Sequence, residues 1–210
     1  MEQAISRGAE INKANRSRFC RTALHSAAEG NYPDVIRLLI KKGAMTSAKD
    51  ILGSTALHVA ALSENHKATS TLLSQGADMM CRDHSGNTPA HNSAAELGQK
   101  APSGLSLFIN AGFNPNIRGC RGRTILHVAA KYDSLDSVEY LLRQKKVGIP
   151  INARDSSGKT PLDYAGDPTS IAWAMVAKAE IVRLLTEATN QVEGGRDHTC
   201  LHGCYHSFSL

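Results

Sequence analysis

Histidine, cysteine and arginine are the side chains that first raise the question of chemistry in this 210-residue chain. Four histidines, His25, His58, His91 and His127, each stand three residues after a threonine: Thr22, Thr55, Thr88 and Thr124. Imidazoles ligate metals and move protons near neutral pH. A metal, however, draws its ligands to about 2.0–2.1 Å. Positions that recur at 33 or 36 residues along a stack of like units stay one unit apart and cannot share an ion. A structural role is therefore expected for these four, because buried polar groups are normally paired.

The run His198-Thr199-Cys200-Leu201-His202-Gly203-Cys204-Tyr205-His206 places five possible ligands in nine residues. That composition fits zinc or copper. Alternate spacing points all five the same way in an extended chain, although a loop can wrap three or four of them around one ion. Metal signatures pair Cys or His at more regular separations, and no second pair stands elsewhere, so no metal and no cofactor is assigned. Arg118, Arg121 and Arg123 crowd one glycine-containing stretch. They are read either as an anion contact, to acidic protein, phosphate or nucleic-acid backbone, or as a solvated basic turn. Cys20 and Cys120 fall beside Arg21 and Arg121, a setting that lowers a thiol pKa, but no His and acid partner recurs in triad fashion. Neither a glycine-rich phosphate loop nor paired carboxylates stand out. The chain is expected not to be an enzyme.

Composition narrows the field. Hydrophobic residues make up 41% and charged residues 20%, which fits a folded chain rather than a disordered one. With only 5% aromatic residues, the core must be built from aliphatic and small side chains. The net charge of +5 leans mildly towards acidic partners and falls short of a dedicated nucleic-acid binder. Five scattered cysteines and the lack of an apolar leader lead to the expectation of reduced thiols in a cytoplasmic and/or nuclear protein without a membrane span.

The elements that must position these residues are written as a repeat. Thr22-Ala23-Leu24-His25 returns as Thr55-Ala56-Leu57-His58, Thr88-Pro89-Ala90-His91, Thr124-Ile125-Leu126-His127 and, altered, Thr160-Pro161-Leu162-Asp163. The threonines are 33, 33, 36 and 36 residues apart. Turn signals precede the motif, as in Asp50-Ile51-Leu52-Gly53 and Asp155-Ser156-Ser157-Gly158, where Asp starts the turn and Gly supplies positive φ. Paired small residues follow it, Ala27-Ala28, Ala60-Ala61, Ser93-Ala94 and Ala129-Ala130. A second apolar run comes next in each unit, for instance Val35-Ile36-Arg37-Leu38-Leu39 and Val138-Glu139-Tyr140-Leu141-Leu142, with helical spacing. Gly43, Gly76 and Gly112 stand where such helices end. Two helices this short cannot shelter their apolar faces alone, so neighbouring units must stack.

The motif, its period and its turn signals strongly resemble the ankyrin repeat, over roughly residues 3 to 187. The resemblance implies an all-α solenoid of stacked helix-turn-helix units with short β-turn or hairpin tips. It divides the chain into a partial repeat at 3–14, repeats at about 15–49, 50–82, 83–118, 119–154 and 155–190, and a flexible tail at 191–210. Insertions are expected at Gly98–Gly104, Gln144–Val147 and Asp167–Ala177, the last with Trp173 as hydrophobic cover. The half-unit at the N-terminus is compatible with a fragment, a half-repeat cap, or an end covered by a partner. By the same resemblance, His25, His58, His91 and His127 brace the turns of their own or adjacent repeats, and Thr160 keeps the motif position in the fifth unit.

The resemblance also implies a concave binding face made of turn tips and first-helix ends. Carried over, it comprises Ile51, Leu52, Ser54, Leu62, His84, Ser85, Asn87, Arg121, Arg123, Lys131, Tyr132, Ser157 and Lys159. Apolar candidates gather on the early units and basic or aromatic ones on the fourth. The function implied is an interaction module, scaffold or adaptor for another protein, acting as a monomer or as part of a longer chain or complex. The competing reading is a regulatory factor that touches nucleic acid or metal through the Arg118–Arg123 tip and the Cys/His tail; nucleic acid is the less favoured partner.

Overall fold

The computed structural model describes residues 10–15, 19–95, 104–144, 148–165 and 175–194. Short helices follow one another in antiparallel pairs. The first pair is α1 (Ala23–Glu29) and α2 (Pro33–Lys41), the second α3 (Ala56–Leu62) and α4 (His66–Ser74), the third α5 (Pro89–Ser93) and α6 (Gly104–Asn110). The fourth is α7 (Ile125–Lys131) and α8 (Leu135–Arg143), and the fifth α9 (Pro161–Ala165) and α10 (Met175–Gly194). The architecture is all-α, as expected, and the units stack side by side.

Each first helix starts at the motif threonine for a local reason. Thr22, Thr55, Thr88 and Thr124 hold extended backbone at the N-cap, and each joins its histidine in a reciprocal capping box. That arrangement pairs two backbone N–H groups that a helix otherwise leaves without partners. Behind the cap, Leu24, Ala28, Leu57, Ala60, Ala90, Ala94, Leu126 and Ala130 are at most 1% exposed. The paired small residues let successive first helices approach closely. The second helices add Ile36, Leu39, Leu72, Phe108, Val138 and Leu141, again almost wholly buried, each such side chain contributing about 1.5–3 kcal/mol. The expected aliphatic core is present; Phe108 and Phe113 meet edge-on at 6.5 Å as its aromatic exception.

Polar links tie one unit to the next. The Asn65 side chain donates to the carbonyls of Ala28 and Glu29 at 2.9 and 2.7 Å, closing the C-terminus of α1 from the following unit. In the other direction, the Asn31 side chain accepts from the Ala68 N–H. The lead-in segment docks through Asn12, which donates to the Gly43 carbonyl and accepts from the Met45 N–H.

At the far end α10 is much longer than the other helices. Ile181 and Leu185 face the core, while Ala179, Arg183, Thr186 and Asn190 form an exposed stripe at helical spacing, and Arg183 pairs with both Glu180 and Glu187. This exposed stripe is mostly polar. The tail also differs from expectation: residues 191–194, expected to lack helical structure, are the last turn of α10. The insertions at 98–103, 145–147 and 167–174 and the tail from 195 onwards, with Trp173, lie outside the described residues.

Candidate functional site: the hairpin row and its facing helices

Ahead of Thr55, Thr88, Thr124 and Thr160 the chain makes a tight hydrogen-bonded turn. Asp50 N–H donates to the Ser54 carbonyl, Asp83 to Asn87, Gly119 to Arg123 and Asp155 to Lys159, all between 2.7 and 3.0 Å. The Asp50 carboxylate also accepts from the Leu52 and Ser54 N–H groups, and Asp155 does the same for Ser157 and Lys159. The turns are laced to each other: Ile51 N–H reaches the Phe19 carbonyl, His84 the Leu52 carbonyl and Ser156 the Arg121 carbonyl. The tips therefore form one continuous row.

The fourth hairpin departs from the rest. Glycine replaces the turn aspartate at Gly119, and Arg121 sits at φ 55 within a 3-10 turn at Cys120–Gly122. The glycine is required by a close approach: a Cβ at residue 119 would lie 2.7 Å from the Asn87 Oδ1 and the His91 Nε2. Here Cys120 N–H donates to the Asn87 side chain instead of to a carbonyl of the third tip.

The repeated histidines are structural struts. Each Nδ1 faces the hydroxyl and N–H of its own threonine. Each Nε2 reaches the residue before the next threonine: His25 to the Ser54 carbonyl at 2.9 Å, His58 to Asn87 at 3.2 Å, His91 to Arg123 at 3.3 Å and His127 to Lys159 at 3.1 Å. The neutral Nε2–H tautomer satisfies all of these contacts. Burial holds all four below the ordinary imidazole pKa, His91 at about 4, against the opposing pull of the carbonyls. With both nitrogens spent, none is free to ligate metal or to act as a base. In the fifth unit Asp163 takes the place of histidine and accepts from the Thr160 N–H and hydroxyl. It keeps the cap but lacks the reach to a further hairpin, and none follows among the described residues.

The carried-over binding residues separate into two groups. Ile51 (56%), Leu52 (52%), Leu62 (65%) and Tyr132 (46%) are exposed large side chains. His84, Ser85, Arg121, Lys131, Ser157 and Lys159 are exposed as well, with the Lys131 ammonium 5.0 Å from the Tyr132 ring centre and Lys159 over Tyr164 at 5.4 Å. Ser54 and Asn87 are half-buried, and their carbonyls serve His25 and His58.

Arg123 turns inward: its side chain is 12% exposed, pairs with Asp155 at 3.5 Å and donates to the Tyr164 hydroxyl at 2.7 Å. Tyr164 donates in turn to Asp155. Burial pushes the Asp155 carboxyl up, but the bonds from Tyr164, Ser157, Lys159 and Arg123 outweigh it and hold the group at about 2. Arg21 and Asp50 make the corresponding pair in the first two units, with Glu29 added at 2.7 Å. Sequence reading missed both pairs, although a basic residue just before the threonine with an aspartate opening the next turn was their signal.

The arginine cluster read from the sequence is likewise dispersed. Arg118 folds under its hairpin onto the Gly122 and Arg154 carbonyls, Arg123 is buried, and only Arg121 projects at the tip. Among the described residues no group of three His, Cys, Asp or Glu side chains could hold a metal ion. The five tail candidates, His198, Cys200, His202, Cys204 and His206, lie outside the described residues. No helix among the described residues is long and apolar enough to cross a membrane.

What the geometry leaves is a surface of tips and first-helix ends, apolar at Ile51, Leu52 and Leu62 and basic at Arg121 and Lys131. Comparison with protein families finds a model of ankyrin repeats in three copies matching residues 1–83, and a model of ankyrin repeats in many copies matching residues 108–165. The stretch between them, 84–107, holds the third unit's first helix and its insertion.

Proposed function

Because the chain belongs to the ankyrin-repeat family, whose repeats are generally protein–protein interaction modules, we propose that it holds a partner protein along the row of hairpin tips and the facing ends of α3 and α7. The observation that carries this reading is the exposure of Ile51, Leu52 and Leu62 together, on the second hairpin and the end of α3, whereas the exposed Tyr32, Met45 and Met80 stand singly on separate loops. Exposed apolar groups in one place favour an interface. Arg121, Lys131 and Tyr132 follow along the same row, and Arg and Tyr are favoured anchors. The partner segment is accordingly apolar where it meets the second unit and acidic where it meets the fourth.

A scaffold or adaptor role follows from binding without chemistry, since ankyrin-repeat proteins are typically non-enzymatic and each motif histidine is committed to the fold. The free thiols at Cys20, Cys81 and Cys120 fit a reducing compartment, cytoplasm or nucleus. The nucleic-acid alternative has less support, because Arg118 and Arg123 point away from a shared anion.

The test is affinity capture from a nuclease-treated native lysate, comparing the wild type with L52E/L62E, with R121E and with K42E at the C-cap of α2 as a control. The expected result is a partner retained by wild type and K42E, lost with L52E/L62E, and held by R121E with a flatter salt dependence. An identical set of proteins on wild type and L52E/L62E would remove this surface from consideration.

A further inference from the structure

A second surface runs along the bases of the hairpins. Lys49, Arg82, Arg118 and Arg154 each stand six residues before a motif threonine, and all four are exposed. They interlock through main-chain carbonyls. Lys49 Nζ donates to the Arg82 carbonyl at 2.8 Å. Arg82 Nη1 donates to Gly86 and to the Arg118 carbonyl at 2.6 and 2.8 Å. Arg118 Nη1 donates to Gly122 and to the Arg154 carbonyl, both at 2.7 Å, and Arg154 Nη1 to Gly158 at 2.8 Å. Each cationic head thus rests on main-chain carbonyls of the row.

Carbonyl oxygens fix a cation in place without cancelling its charge. Among the described residues none of the four forms an ion pair. The neighbouring acids do not pair with them: Asp50 and Asp155 are buried against Arg21 and Arg123, Asp78 accepts from Met80 N–H and the Cys81 thiol, and Asp83 accepts from Asn87 N–H. Beside Arg118 the turn acid is absent altogether, since Gly119 stands there. The three guanidiniums make these bonds through Nη1 alone, which leaves Nε and Nη2, the fork that grips a carboxylate.

Pitch identifies the ligand. Packed helices lie about 8–10 Å apart, so one cation recurs about every 10 Å. A polyproline-II segment has three residues per turn and rises about 3.1 Å per residue, which returns every third side chain to one edge after about 9 Å. We propose that this row is a docking site for an acidic protein segment in polyproline-II form, with a carboxylate at every third residue. Duplex DNA carries a charge about every 1.7 Å of its axis and would leave most of its phosphates unmatched. Among the described residues none of the four cations lies over an aromatic ring on which a base could stack. Single exposed ion pairs are weak; four held in register act together.

The experiment measures fluorescence anisotropy of a labelled peptide of repeated Glu-Pro-Pro, long enough to span the four cations, against the whole chain. Its comparator has the same composition with the glutamates gathered at one end, and a single-stranded oligothymidylate is the third probe. The wild type is expected to bind the regular peptide about tenfold more tightly than the comparator, with R82Q/R118Q removing that preference and R82K/R118K, which keeps the charge but not the fork, losing part of it. Equal affinity for the two peptides would overturn the proposal, as would tighter binding of the oligonucleotide. Both of these outcomes are read on the wild type alone, so a variant that fails to fold does not obscure them. The peptide has no large apolar anchor, and its failure would leave the surface at Leu52 and Leu62 untouched.

Discussion

At the scale of single residues, the four motif histidines act as joints between units. An imidazole with Nδ1 accepting from the threonine N–H and Nε2 donating to the next hairpin can hold both contacts only while neutral. Protonation would place a hydrogen on Nδ1, opposite the threonine N–H it now accepts from. Folding stability should therefore depend on pH in one direction. An unfolded histidine takes up its proton near pH 6.5, whereas folded His91 does so at about 4. Between those values the unfolded state binds more protons, so stability falls as pH falls and levels off below the folded pKa. His91 alone accounts for on the order of 3 kcal/mol, and His25, His58 and His127 act in the same sense. Urea unfolding at about pH 7.5 and about pH 4.5 should show a clear drop in midpoint; a flat profile would mean that the imidazoles are not buried neutral.

Hairpins decide matters at the scale of elements. Three of the turns open with an aspartate whose carboxylate accepts N–H groups of its own turn, and the fourth opens with Gly119. Local turn chemistry alone would favour restoring the acid there. Packing argues the reverse, because the new side chain would press on Asn87 and His91 at distances no Cβ tolerates. Gly119→Asp is expected to destabilise by about 1–3 kcal/mol through overpacking, more than a turn or cap bond of about 1 kcal/mol returns. The urea midpoint reads this directly, and a variant as stable as the wild type would show that the fourth hairpin opens to make room. A related strain appears at Cys20, which holds φ 51 at the turn position that Gly53, Gly86, Gly122 and Gly158 occupy elsewhere.

For the whole molecule, stability is a sum of unit terms and joints between neighbours, so the joints need not be equal. Tip-to-tip backbone bonds link the first hairpin to the second, the second to the third and the fourth to the fifth. Between the third and fourth a side chain, Asn87, makes the link instead. This joint also borders the hairpin without an aspartate. Partial opening should begin here, separating residues 19–95 and 104–118 from 119–165. Hydrogen exchange in mild urea is expected to show the Cys120 amide protected less than those of His84 and Ser156, by about 1 kcal/mol. Uniform protection along the tips would count against an uneven stack.

The sequence by itself determined the unit and the number of times it recurs. Threonine caps, paired small residues and helix-ending glycines act within a few residues of chain, so their meaning survives without coordinates. The exposure of Ile51, Leu52 and Leu62 was expected from their positions in the repeat, at a turn tip and a first-helix end. Only the tertiary structure decided which charges remain available. Arg118, Arg121 and Arg123 look alike in sequence, yet Arg118 is fixed by its Nη1 at the base of its hairpin with its charge unpaired, Arg121 projects at the tip, and Arg123 is turned inward and paired with Asp155 and Tyr164. Their partners lie 32 to 41 residues away in the next unit, a distance bridged only once the units stack. The continuation of α10 to Gly194 is likewise visible only in the structure. Contacts made within a turn were legible from residue types; contacts made between units became definite only when stacking brought the two sides together.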